Sequence, residues 1–214
     1  MRFASVIKKV LAKDKRLKIV ILGPDNAGKT SLLQAYLNQN IADIEPTYGY
    51  QIIKTEREIE ETKYHLEILD IGGQKSIRAY WDTYYSGVDG VLFVYDTYGT
   101  EEYKSIIEST VSHPTLQDTE FLCASNKCDD LSVAEAQGTK YIQIVKSEIK
   151  GEQAPSFDFM AEAENRKAPK NNSSIEIKEI EIVYTSAKKH VNVDRVFYTL
   201  IQNILKKEKN VVLQ

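Results

Sequence analysis

Four short stretches hold residue types suited to phosphate, metal and base. The octapeptide GPDNAGKT at 23–30 fits G-x-x-x-x-G-K-[ST] in full. In such a loop, backbone N–H groups and the following helix start surround phosphates, here from Gly23, Asp25, Asn26, Ala27 and Gly28 on to Ser31. Lys29 would reach the outer two phosphates and the Thr30 hydroxyl would bind Mg²⁺. DIGGQ at 70–74 adds three groups. The carboxylate of Asp70 suits the Mg²⁺ shell, Gly73 can bring its N–H to a γ-phosphate, and Gln74 can orient an attacking water. Thr47 offers a second hydroxyl to the metal. These roles exist only with a third phosphate present, so both segments would sense GTP against GDP. Asn126, Lys127 and Asp129 form N-K-x-D. A carboxylate there accepts from the N1–H and exocyclic amine of guanine, a donor pair that adenine lacks. TSA at 185–187 brings Ser186 and Ala187, with a backbone contact to the guanine oxygen. The chemistry implied is Mg²⁺-dependent hydrolysis of GTP to GDP and phosphate, with Lys29, Gly73 and Gln74 as the catalytic groups.

Such residues need a scaffold that delivers them to one edge. LKIVIL at 17–22 reads as a buried strand, with the loop as its turn and SLLQAYL as the start of a helix. Residues 50–69 read as two strands joined by a charged turn at 58–62, an antiparallel pair. VDGVLFVYD at 88–96, FLCASNKCD at 121–129 and EIEIVYTSA at 179–187 read as apolar strands ending in polar residues. Strands buried on both faces and separated by helical stretches predict an α/β fold, a mostly parallel sheet with one antiparallel pair and helices on both faces. Ligands collect at the carboxyl edge of such sheets, where all four polar stretches fall.

Residues 1–16 form an amphipathic pattern, with Phe3, Val6, Ile7, Val10 and Leu11 at helical spacing among lysines. The rest of the domain runs to 208, with helices expected over 131–150 and 192–208 and a tail at 209–214. The stretch 151–174 is poor in aliphatic residues and is expected to be a flexible insertion. With 28 basic and 31 acidic side chains, the net charge of -3 supplies no field drawing the whole chain to nucleic acid. No apolar run approaches the roughly 20 residues that cross a bilayer, and no signal peptide is legible, which predicts a cytoplasmic protein. Cys123 and Cys128 are expected to be thiols, Cys128 with its side chain outward.

The residues GPDNAGKT, PTYGY at 46–50, DIGGQKSIRAYW at 70–81 and NKCD at 126–129 resemble the Arf and Arf-like small GTPases. DIGGQKSIRAYW followed by DTYY is most similar to the Arf-like branch that works with tubulin-folding cofactors and carriers of lipidated proteins. The resemblance implies the P-loop small GTPase fold, a switch whose interswitch strands slide as the N-terminal helix leaves its groove, and monomeric action in trafficking or on tubulin partners. It also implies an exchange factor, a GTPase-activating protein and effectors contacting Tyr50, Leu69 and Tyr84, with Leu69 where the family usually has tryptophan. Arg2 stands where N-myristoylation requires glycine, so membrane contact is expected to be weak and unlipidated. Pro24 removes one N–H donor from the phosphate loop, and the interswitch hairpin is longer than the family leads one to expect. No arginine stands in the Thr47 loop to act in cis, so hydrolysis is expected to be slow without an activator. The alternative is a GTP-binding scaffold with little hydrolysis, docking through 151–174.

Overall fold

The computed structural model describes residues 15–130, 140–147 and 175–212. Among them the elements are β1 (Arg16–Leu22), α1 (Lys29–Tyr36), β2 (Tyr50–Ile59), β3 (Thr62–Ile71), α2 (Lys75–Arg78), β4 (Gly90–Asp96), α3 (Glu102–Val111), β5 (Glu120–Asn126), β6 (Lys140–Ser147), β7 (Ile175–Tyr184) and α4 (Val193–Val212). The seven strands form one sheet in the order β2-β3-β1-β4-β5-β7-β6. β1 pairs in parallel with β3 and β4, and β5 in parallel with β4 and β7.

The strands of the sheet centre are apolar without alternation because both of their faces are covered. Ile19 and Ile21 face a core layer that contains Leu33, Leu92, Val94, Phe197 and Leu200. Val20 and Leu22 face the other layer, with Phe93, Cys123, Ile107 and Val111. Helices α1 and α4 cover the first layer, where the Tyr36 and Phe197 rings stack at 4.0 Å. Helix α3 covers the second, so its residues Ile106, Ile107 and Val111 are buried and its opposite face is polar.

The hairpin expected over 50–69 is a ten-pair antiparallel ladder from Tyr50↔Ile71 to Ile59↔Thr62. Its tip, Glu60-Glu61, takes φ of 48° and 60°, the left-handed pair that a two-residue turn between twisted strands requires.

Four expectations are corrected. Residues 140–147 are a strand rather than part of a helix over 131–150, because Tyr141-Ile142-Gln143-Ile144 alternates exposed and buried with the period of two of a sheet face. That strand pairs antiparallel with β7, so the sheet has an antiparallel pair at each edge instead of one. Helix α4 continues to Val212 through what reads as a tail, and β1 begins at Arg16, the last residue assigned to the N-terminal helix. Residues 1–14 of the expected N-terminal helix, residues 131–139 and the insertion at 151–174 lie outside the described residues.

Candidate nucleotide site

The carboxyl ends of β1, β3, β5 and β7 open onto the four polar stretches, as a parallel sheet of this kind requires. After β1, the chain makes a tight loop that ends at Gly28, whose φ of 81° and approach to Asn126 leave no room for a side chain. A Cβ there would lie 2.4 Å from Asn126 Nδ2. Helix α1 then starts at Lys29.

A pocket of about 250 Å³ is lined by Asp25, Asn26, Gly28, Lys29, Thr30, Ser31, Thr47, Gly72 and Gly73, with Ile44, Glu45 and Pro46 closing it. Lys29 is buried, and its Nζ donates to the carbonyls of Gly23 at 3.0 Å and Pro24 at 2.7 Å. Burial pulls its ammonium down to about 8, with Asp70 and Asp25 opposing. Pro24 therefore takes part through its carbonyl, which the missing N–H does not affect. A larger cleft of about 700 Å³ at the other end of β1 to β3 is lined by Arg16, Lys18, Lys54, His65 and their neighbours, and contains none of the residues singled out by sequence.

Thr30, Thr47 and Asp70 converge from three elements. The two hydroxyl oxygens are 2.7 Å apart, and Thr30 Oγ1 donates to Asp70 Oδ2 at 2.6 Å. Gln51 Nε2 donates to the same oxygen at 2.8 Å. Asp70 is fully buried, yet its Oδ1 has no hydrogen-bond partner. An orphaned buried carboxylate oxygen beside two hydroxyls is the hard-oxygen donor set that Mg²⁺ takes, so the residues fit that ion.

Gly73 presses against the phosphate loop. A Cβ on it would lie 2.4 Å from Pro24 C and 2.5 Å from Gly23 O, so only glycine allows this approach. Gln74 follows as the residue before α2 but does not line the pocket.

The second cluster sits at the ends of β5 and β7. Asn126, 1 % exposed, donates through Nδ2 to the Ala27 carbonyl at 3.0 Å and the Gly28 carbonyl at 3.3 Å. Its Oδ1 accepts from Thr185 Oγ1 at 3.2 Å and from the Ala187 N–H at 3.3 Å. Asp129 Oδ1 accepts from Ser186 Oγ at 2.5 Å, and Lys127 Nζ lies 2.9 Å from Asp96 Oδ2. Lys127 takes a φ of 63°, and the turn sends the next side chain inward. Cys128 is therefore buried, with its backbone N–H on the Thr185 carbonyl at 3.0 Å, which corrects the outward orientation expected for it. Burial pushes its thiol above the usual range, with Asp130 and Asp129 adding to the shift.

Every predicted residue except Gln74 is thus in one of two adjacent clusters that Asn126 joins. Two partners escaped sequence reasoning. Asp96 closes the apolar run of β4, a carboxylate at a carboxyl edge and so a legible signal; Gln51 meets Asp70 only through strand register. Of the three positions proposed for effectors, Tyr50 is exposed and its ring lies 4.8 Å from that of Tyr84. Leu69 is a correction, being 3 % exposed among Trp81, Tyr85 and Ile71, because its position on β3 faces a core layer.

Among known proteins, residues 3–204 match the model of the ADP-ribosylation factor family. The chain is 34% identical over 148 residues to ADP-ribosylation factor-like protein 2 of Dictyostelium discoideum, covering 67% of this chain and 78% of that protein. It is 30% identical over 132 residues to ADP-ribosylation factor-like protein alp41 of Schizosaccharomyces pombe, covering 60% and 69%. To ADP-ribosylation factor-like protein 3 of Chlamydomonas reinhardtii it is 40% identical over 97 residues, covering 45% and 52%. With the family model spanning nearly the whole chain and the phosphate loop seated at a parallel sheet edge, the chain belongs to the ADP-ribosylation factor family of small GTPases, as an Arf-like GTP-binding switch.

Proposed function

We propose that this chain is a Mg²⁺-dependent GTPase whose two nucleotide states are read by partners, and that its hydrolysis is slow until an activating protein engages it. The observation that carries the reading is the convergence of Thr30, Thr47 and the half-unsatisfied Asp70 beside Lys29 and Gly73. Bound there, Mg²⁺ would supply charge neutralisation at the phosphates, held by the Thr30 and Thr47 hydroxyls with Asp70 behind them. Lys29 binds the outer phosphates, exchanging its two carbonyl partners for phosphate oxygens. Gly73 presents its N–H to the γ-phosphate, and Gln74 orients the water. Asp129 and the Ala187 backbone read guanine, with Ser186 holding the Asp129 carboxylate and the Asp96 pair fixing Lys127 against the base.

Regulation follows from the same parts. An exchange factor loads GTP, an activating protein supplies the charge that no arginine of the 40–49 loop offers, and effectors read the Tyr50–Tyr84 face. Because Leu69 is buried, recognition there rests on the two tyrosine rings. The chain acts as a cytoplasmic monomer, with trafficking or tubulin partners, and contacts membrane weakly. Among the described residues no helix is long and apolar enough to cross one.

The test is to extract nucleotide from purified protein and follow single-turnover GTP loss in Mg²⁺ for wild type and Gln74→Leu. Co-purified guanine nucleotide and slow hydrolysis, slower by about tenfold or more in the variant, is the expected result. Equal rates in the two proteins would refute the role of Gln74.

A further inference from the structure

We propose that Arg78, anchored by Glu102, is a positioning residue that clamps Gly73 from outside the nucleotide site and so makes helix α3 part of the GTP-sensing machinery. The inference rests on the reading of the chain as a GTP-hydrolysing switch. Its support is a set of contacts behind the loop that follows β3.

Two consecutive carbonyls of that loop are held by side chains that follow it. Trp81 Nε1 donates to the Gly72 carbonyl at 3.0 Å, and Arg78 Nε donates to the Gly73 carbonyl at 2.7 Å. In a trans peptide the N–H points opposite to the C=O. The indole thus turns the Gly73 N–H away from itself, and the guanidinium does the same for the Gln74 N–H. The other side of Gly73 is filled by the phosphate loop, so the glycine sits between Pro24 and Arg78 with its peptide orientation fixed. The backbone reinforces this, because the N–H groups of Ile77 and Arg78 both close on the Gln74 carbonyl.

Arg78 is itself held in place. Its Nη1 donates to Glu102 Oε1 at 2.9 Å while Nε serves Gly73, and its side chain is 17% exposed. The two contacts use different nitrogens of one rigid planar group, an arrangement a lysine cannot copy. Glu102 is the first residue of α3, in the crossover between β4 and β5, and belongs to none of the nucleotide loops. Lys75 Nζ, 3.9 Å from the same carboxylate and largely exposed, is a second and weaker cation. A carboxylate on a core-packed helix therefore sets the pose of the Gly73–Gln74 peptide, the immediate neighbour of the peptide whose N–H meets the third phosphate. GDP has no group at that point, so the clamp acts on GTP alone.

The test uses the full chain as wild type, Glu102→Gln, Arg78→Lys and the double variant. It reads release of a non-hydrolysable GTP analogue, release of GDP, and single-turnover GTP loss. Since Glu102 is partly exposed, the charge-assisted bond is discounted toward that of a surface pair, and each single variant should speed release of the GTP analogue by about three- to tenfold. GDP release should stay within about twofold, hydrolysis should slow by a factor similar to the analogue's gain, and the double variant should be no worse than Arg78→Lys. Equal changes for both nucleotides would reveal a general structural role and overturn the clamp, as would unchanged analogue release or additive effects. Absence of hydrolysis in wild type, with the asymmetry in release retained, would remove the GTPase reading while leaving the clamp in place.

Discussion

Asn126→Ala separates two roles that the N-K-x-D pattern merges. The side chain is buried and has four partners, at 3.0 and 3.3 Å on the Ala27 and Gly28 carbonyls, and at 3.2 and 3.3 Å on Thr185 and Ala187. The Gly28 carbonyl keeps its bond from the Leu32 N–H at 2.8 Å, so three groups lose a partner in alanine: the Ala27 carbonyl, the Thr185 hydroxyl and the Ala187 N–H. A buried group left unsatisfied costs on the order of 1 kcal/mol or more, giving about 3 kcal/mol for the set. With a urea m-value of about 2 kcal/mol/M, the midpoint should fall by about 1.5 M at unchanged m. Because the same bonds tie the phosphate loop to the segment that carries Ala187, GDP and GTP affinities should fall together by about tenfold or more. Urea denaturation by fluorescence and competition binding of both nucleotides make the measurement. A loss of affinity with the midpoint unmoved would refute the reasoning, because it would mean that Asn126 meets the nucleotide directly instead of bracing the loops.

Two further substitutions test neighbouring parts. Gly73→Ala puts a Cβ within 2.5 Å of phosphate-loop backbone, so the loop after β3 must withdraw; affinity for a non-hydrolysable GTP analogue should drop about tenfold or more while GDP binding stays nearly constant, and equal losses would argue against the approach seen here. Asp89 lies near the other end of the sheet, with its Oδ2 accepting from the Lys18 N–H at 2.7 Å, and burial raises its carboxyl above the usual range although that N–H and the Lys18 charge oppose the shift. The folded state therefore grips the proton more tightly than the unfolded chain. Its stability contribution is present below the unfolded value of about 3.9 and is lost as pH rises through the raised folded value. Against Asp89→Asn, wild type should lose ground in urea midpoint between about pH 4 and pH 7, and a gap that widens in its favour would reverse the sign.

Much of the site was legible because each stretch combines a motif with an element boundary. GPDNAGKT sits between β1 and α1, and DIGGQ and NKCD at the ends of β3 and β5, so pattern and position confirmed one another. What sequence missed depends on pairing in three dimensions. Gln51 reaches Asp70 only because the β2–β3 ladder places them opposite each other, and Cys128 turns inward because Lys127 takes a left-handed φ that residue type alone does not dictate. Leu69 was placed by its motif neighbours, although its alternation with Asp70 and Ile68 puts it on a buried face of β3. The misread strand at 140–147 contains only eight residues, and its alternation is clear only over Tyr141-Ile142-Gln143-Ile144. Beside a long hydrophilic stretch, its pattern is too short to outweigh the expectation of a crossover helix.

The strand at 140–147 also extends the sheet at an edge that the site does not use. The site needs β7 only where it pairs with β5, at Ile182, Val183 and Tyr184, because these three residues deliver Thr185, Ser186 and Ala187 to Asn126 and Asp129. Residues 175–181 pair with β6 alone, on the side of β7 away from β5. A long antiparallel strand pair can therefore sit there, because its apolar positions Ile142, Ile144, Ile180 and Ile182 continue the core layer that α3 covers, while Gln143 meets Glu179 at 2.8 Å on the other face. The β2–β3 hairpin at the opposite edge follows the same logic less freely. Its near end carries Gln51 and Asp70, and its far end reaches α4 through Glu60 and Lys209 at 3.4 Å. Any sliding of that hairpin along β1 would have to break the bond of Asp70 with Thr30 and the contact with the C-terminal helix together, whereas movement of the β6 edge would break neither.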